Sequence, residues 1–262
     1  HILPEVPEVL HEDPSYSPQP YYWVPAPTIR TGVQGIWNHK WFIGWRGIGD
    51  ARASARTLIC AVIPFAGVGN SFPIALSGSR PARLSCFVAN LNSFVLDYVA
   101  RSKVAGLNLN FFIIEQLPVL SPEAFDVPMP WERSLVAGEW ITARVLELVY
   151  SSWDMIEVAR DLGNEGPPFR WDEKRRFKLL AELDAAFFHL YGIEREHVEY
   201  IMNTFPIVRR RDVERYGSYR TKDLILEIYD AMADAIRTGE PCQTILDPPP
   251  GNGPRHPAKR EP

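Results

Sequence analysis

Leu84-Ser85-Cys86-Phe87-Val88-Ala89-Asn90-Leu91-Asn92-Ser93-Phe94-Val95-Leu96-Asp97-Tyr98-Val99-Ala100-Arg101-Ser102-Lys103 is where the hydrophobic period of the chain changes. Phe87, Leu91, Phe94, Val95, Tyr98 and Val99 recur at helical spacing, and Gly106 follows as a C-cap. Upstream the pattern is that of strands. Thr57 to Pro64 is an apolar run of strand length, Trp37 to Arg46 is aromatic and bounded by glycines, and Phe72 to Leu76 follows a Gly-rich turn. Downstream, Leu109 to Ile114 returns to strand and Gln116 to Pro122 stops it. From Trp131 onward helices are expected near 131–161, 171–191, 194–204 and 220–237, broken at 163–168 and at Gly192. The fold class that follows is α+β, a mixed β-sheet with helices followed by a helical C-terminal region.

Three parts are expected: an α/β domain over 1–125, a helical region over 126–238, and a tail over 239–262. Pro4, Pro7, Pro14, Pro18, Pro20, Pro25 and Pro27 argue against helix near the start and for an extended arm, with Tyr21-Tyr22-Trp23-Val24 as a short strand. The tail is rich in proline and charge, which predicts disorder.

With 262 residues, 46% of them hydrophobic, the chain is long enough to bury one large core or two small ones. No apolar run reaches membrane-spanning length. The first residues lack the charged start and apolar stretch of a signal peptide, and the chain begins at His1, as an excised fragment would. Cys60, Cys86 and Cys242 fit neither a disulfide framework nor metal-site spacing, so reduced thiols and a cytoplasmic location are expected. The net charge of −4 does not exclude DNA, because binding needs only one basic face. Between Phe205 and Lys222, Arg209, Arg210, Arg211, Arg215, Arg220 and Lys222 face only Asp212 and Glu214; Arg80, Arg83, Arg101 and Lys103 form a second basic set.

Two motifs invite a methyltransferase reading. Phe65-Ala66-Gly67-Val68-Gly69 matches a loop that cradles S-adenosylmethionine, and Asp247-Pro248-Pro249-Pro250 is close to the Asp/Asn-Pro-Pro-aromatic motif that holds a flipped base. Both fail on context. Pro73 stands where the first turn of a cofactor-binding helix belongs, and Pro250 cannot stack as an aromatic ring does. The plain alternatives are a tight turn between two strands and a chance match. His39, His189 and His197 have no triad or metal-ligand company, so neither a catalytic residue nor a metal site is expected.

Ala89 through Lys103, then Val104-Ala105-Gly106-Leu107-Asn108-Leu109-Asn110-Phe111-Phe112-Ile113-Ile114-Glu115-Gln116-Leu117-Pro118, resembles the target-recognition domains of type I restriction specificity subunits. The chain is more closely similar to the C-terminal specificity region of large adenine methyltransferases from type IIG and DISARM-like systems. Tyr22-Trp23-Val24-Pro25, Ile63 through Asn70, Phe205-Pro206-Ile207-Val208-Arg209-Arg210 and Arg215 through Lys222 carry that resemblance. It covers about residues 20–235. It implies a DNA-recognition part whose partners are double-stranded DNA and the catalytic domain of the same protein. S-adenosylmethionine would be held by that domain, not by this chain.

DNA contact calls for long cations at phosphates and for Asn, Gln, Arg or Lys at base edges. Arg101 and Lys103 end a helix, where they either reach DNA or complement the helix dipole. Asn108 and Asn110, alternating on a strand, either read an adenine edge or satisfy that strand. Asn70 is a base reader or a turn residue. Arg209, Arg210 and Arg211 grip a phosphate or pair with neighbouring acids, and Lys222 joins them. Arg46, Arg52 and Arg56 default to a solvated face, Trp37, Trp41 and Trp45 to core. Two other readings stand beside this one: a small S-adenosylmethionine-dependent methyltransferase built on Gly67 and Gly69, and a protein-docking domain without DNA affinity.

Overall fold

Trp41-Phe42-Ile43-Gly44-Trp45 is buried at every position and forms β1 (Trp41–Trp45), the middle of a three-stranded antiparallel sheet. The computed structural model describes residues 6–19, 22–50, 53–104 and 106–259. On one side of β1 lies β2 (Cys60–Pro64), in register from Trp41↔Pro64 to Trp45↔Cys60; on the other lies β3 (Ile74–Ala75). Because β2 and β3 flank β1, residues 65–73 do not make the tight turn expected between neighbouring strands. They cross over β1 instead. Gly44 permits this crossing: a Cβ there would lie 2.3 Å from Phe72 Cε1 and 2.5 Å from the Pro73 carbonyl oxygen. Phe42 stacks on Phe65 at 4.9 Å, closing the same face.

The N-terminal segment contains α1 (Glu8–His11) and α2 (Ala26–Gly32), which corrects the purely extended arm. Pro7 and Pro25 sit at N-caps and Pro27 in a first turn, where no backbone N–H is needed. Tyr21 lies outside the described residues, and Tyr22 to Val24 form no strand.

The long helix expected over 84–103 divides into α3 (Pro81–Leu91) and α4 (Phe94–Lys103). The cause lies in Asn92 and Ser93. The Asn92 amide pairs with both the N–H and the carbonyl of Cys60, sealing part of the β2 edge, and the Ser93 hydroxyl caps α4 at Leu96 N. Both side chains compete with the helical backbone for its hydrogen bonds. The strand expected over 109–114 is also absent. Only Asn108 bridges, to Ile48, and the chain then turns into α5 (Phe111–Ile114) as Ile113 N and Ile114 N reach back to the Asn110 carbonyl.

The C-terminal half opens with a hairpin, β4 (Pro128–Met129) and β5 (Glu132–Val136), where helix was expected. Then follow α6 (Ala137–Val149), α7 (Ile156–Asp161), α8 (Glu173–Leu190), α9 (Arg195–Asn203), α10 (Pro206–Tyr216) and α11 (Arg220–Thr238). The class is α+β. One apolar cluster is centred on the sheet (Trp41, Ile43, Leu58, Leu91) and the other on the helices (Phe187, Phe188, Met202, Phe205, Ile225). α3 and α6 supply both: Leu84 and Leu146 go to the first, Cys86 and Val145 to the second. Cys60 and Cys86 are buried thiols pushed up to about 12 by loss of solvent. No helix among the described residues is long and apolar enough to cross a membrane.

The tail expected to be disordered is held in place through residue 259. Two buried ion pairs between α6 and α8 grip it: Arg144–Glu182 at 2.6 Å, and Arg175–Glu147. Glu182 accepts from the Thr244 hydroxyl at 2.6 Å and from Ile245 N at 2.9 Å; Glu147 accepts from Gly251 N at 3.0 Å. Composition misled here because the partners of this segment are charges on distant helices.

Candidate nucleic-acid interface

α4 ends in Arg101-Ser102-Lys103, and the two cations have different fates. Arg101 is half-buried and donates to Ala55 O, Thr57 Oγ1 and Thr204 O, each at 3.2 Å, while its guanidinium covers the Phe205 ring at 4.4 Å. It is a fold residue. Lys103 is exposed, with no ion pair among the described residues.

Phe205 immediately precedes α10, so Arg101 fastens the end of α4 to the start of the basic helix. α10 buries none of its residues. It persists because Pro206 opens it, Gly217 closes it with φ 77°, and Asp212 Oδ2 accepts from Thr221 N at the head of α11. Arg209, Arg210 and Arg211 are therefore presented to solvent on a rigid element. Of the three, only Arg210 has an acid within reach among the described residues, Glu214 at 3.9 Å. Lys222, by contrast, is drawn in to Glu199 at 3.0 Å, which answers its charge. The buried Tyr219 hydroxyl donates to Met202 O at 2.8 Å. Burial, then Asp212, push its pKa up, while Arg209, Arg101 and Arg56 oppose the rise, so three cations of this cluster act at one atom.

A second group gathers at Gly47. Its N–H donates to Ser71 O at 2.8 Å and its carbonyl accepts from Leu109 N at 2.8 Å. Those two bonds place Asn70, Asn108 and Asn110 around one end of β1, all exposed. The alternation of Asn108 and Asn110 expected on a strand is not formed; Asn110 instead precedes α5. Sequence reasoning missed what lies beside them: Ile48, Leu107, Phe111 and Phe112 are exposed at 53%, 55%, 56% and 58%. Phe111-Phe112 was the signal, since a four-residue helix cannot bury two successive rings.

The remaining candidates are structural. Arg80 and Arg83 both bind Asp126, Arg56 binds the buried Asp97, and Arg46 donates to Arg56 O at 2.7 Å. Arg52 lies outside the described residues. Trp37, Trp41 and Trp45 are core, as expected. His39 Nδ1 and Trp41 Nε1 share Asp161 Oδ2 at 2.6 and 2.7 Å, and His189 pairs with Tyr229 O. His197 lies with Glu194 and Glu196 at an exposed helix start, with nothing further that points to an ion.

Neither methyltransferase motif has the surroundings its chemistry requires. The loop from Phe65 to Gly69 leads into a turn and β3, with no helix N-terminus, and a Cβ on Gly67 would meet Val24 at 3.1 Å. The Pro249 carbonyl of the second motif accepts from Arg175 at 3.3 Å, a tail anchor. No family model, no curated protein and no solved structure matches this chain.

Proposed function

We propose that this chain is the DNA sequence-recognition portion of a site-specific adenine DNA methyltransferase from a restriction-modification or phage-defence system. One observation carries the proposal. Exposed asparagine amides gather at Gly47, and Arg101 fastens the end of α4 to the residues that open α10 with its exposed arginines. Amides suit adenine edges, to which Asn bonds in bidentate fashion, and exposed cations suit phosphates. Lys103 and Arg209 to Arg211 would set the register on the duplex, while Asn70, Asn108 and Asn110 read bases. The order of motifs shared with type IIG and DISARM-like specificity regions supports the same reading. In it, methyl transfer and S-adenosylmethionine belong to a catalytic domain outside this chain.

The test is retention of random duplex DNA at low and at physiological salt, with sequencing of what is retained. Enrichment of one short site supports the proposal. A second reading, docking against the catalytic domain, is favoured by the exposed Phe111 and Phe112. Absence of retention at either salt would leave that reading in its place.

A further inference from the structure

Independently of any DNA role, we propose that the cavity between α6, α11 and the C-terminal segment binds a small organic cation, an ammonium group on an apolar body. The cavity measures about 430 Å³, within the range of small-molecule sites. Its wall includes the indoles of Trp131 and Trp140, set edge to face at 5.6 Å, with Met232 and Ile245. The C-terminal segment completes it. Cys242 N donates to Trp131 O at 2.9 Å, and Glu182 holds Thr244 and Ile245, so this wall is a fixed part of the fold.

The charge at this cavity has one sign. Arg144 is neutralised by Glu182 and lies on the Trp140 ring at 3.2 Å. Glu132, Glu139 and Glu227 also line the cavity, and no cation lies within ion-pair distance of them among the described residues. Three carboxylates at the rim of an apolar cavity match an organic cation twice over, by Coulomb attraction for its charge and by apolar contact for its body. An anion is repelled, and a hydrated metal ion gains nothing from apolar walls. The Trp131 indole N–H is buried and has no acceptor among the described residues.

Titration calorimetry of the full chain with benzyltrimethylammonium and 2-phenylethylammonium, against neutral 2-phenylethanol, tests this. Both cations are expected to bind about tenfold more tightly than the alcohol. The double variant Glu139→Gln, Glu227→Gln alters only exposed side chains; it should keep the wild-type melting temperature and weaken the preference, with Glu132 left in place. Heat from neither cation at millimolar concentration, equal affinity for the alcohol, or an unchanged preference in the double variant would each overturn the proposal.

Discussion

The guanidinium of Arg101 lies 4.4 Å from the centroid of the Phe205 ring, a stack that joins the end of α4 to the start of α10. Three hydrogen bonds to Ala55, Thr57 and Thr204 fix it there. Arg101→Ala is therefore expected to destabilise the fold by about 2–3 kcal/mol, since two half-buried carbonyls lose a charged donor. Arg101→Lys should recover little, because an ammonium cannot fork to three acceptors and lie flat on a ring. Lys103→Ala should leave stability unchanged. Urea unfolding of the three variants separates these outcomes.

Gly44 makes a sharper case. The crossover of Phe72-Pro73 runs against the β1 backbone, and a methyl group at position 44 would collide with a carbonyl as well as a ring. Gly44→Ala should cost at least about 2 kcal/mol, in the range of overpacked cores. Adding Phe72→Ala should rescue it only in part, as the Pro73 oxygen remains. Full rescue by the double variant, read from urea midpoints, would show that the backbone contact is soft.

These two positions also show how far the sequence was legible. The periodicity of Leu84 to Lys103 and the apolar run to Pro64 located the helices and strands that make the core, because burial imposes period directly. The break at Asn92 and the crossover at Gly44 were invisible, since each depends on a partner far along the chain: Cys60 for one, Phe72 for the other. The tail failed for the same reason, its anchors being Glu147 and Glu182. Among site candidates, residue type alone could not separate Lys103 from Arg101, or Arg209 from Lys222. Only the surroundings show which cation already has an answer.

The tail anchors give a stability prediction. Deleting residues 240–262 leaves Glu182 and Glu147 without the donors from Thr244, Ile245 and Gly251, and uncovers the buried Leu246. The expected loss is about 3 kcal/mol, or roughly 6–10 °C in Tm. A disordered tail would change nothing, so calorimetry of the truncated chain decides the matter.

Asp184 predicts a pH dependence. Burial lifts its pKa to about 6, against the pull of Arg56 and of the Phe94 N–H that it accepts at 2.7 Å; Asp97 adds to the rise. A carboxyl whose folded pKa lies above its unfolded value is bound more tightly by protons in the native state. Its penalty is thus full above pH 6 and is relieved as pH falls from about 6 towards the unfolded value of 3.8. Asp184→Asn keeps the acceptor for Phe94 N and carries no charge. At pH 7 the variant should be the more stable, by up to about 3 kcal/mol, with the gap shrinking by pH 5. A gap that stays constant across that window would assign the difference to packing.

DNA binding itself separates positioning from reading. If Arg209, Arg210 and Arg211 each meet a phosphate, each releases about one counterion, and the slope of log K against log salt should fall by roughly 0.9 per residue replaced by alanine. The triple variant would then lose affinity for every sequence alike, and lose most of it at low salt. Asn108→Ala and Asn110→Ala should leave the slope intact. Their effect should appear as relaxed preference at single base pairs, about 1–3 kcal/mol of discrimination at each. Arg101→Ala should mimic neither pattern once its lower stability is allowed for, because its guanidinium is already engaged by Thr204 and Phe205. Anisotropy titrations at several salt concentrations, on the enriched site and on a scrambled one, distinguish these patterns. A slope unchanged in the triple variant would take α10 out of the interface and leave the asparagine group at Gly47 to account for any affinity observed.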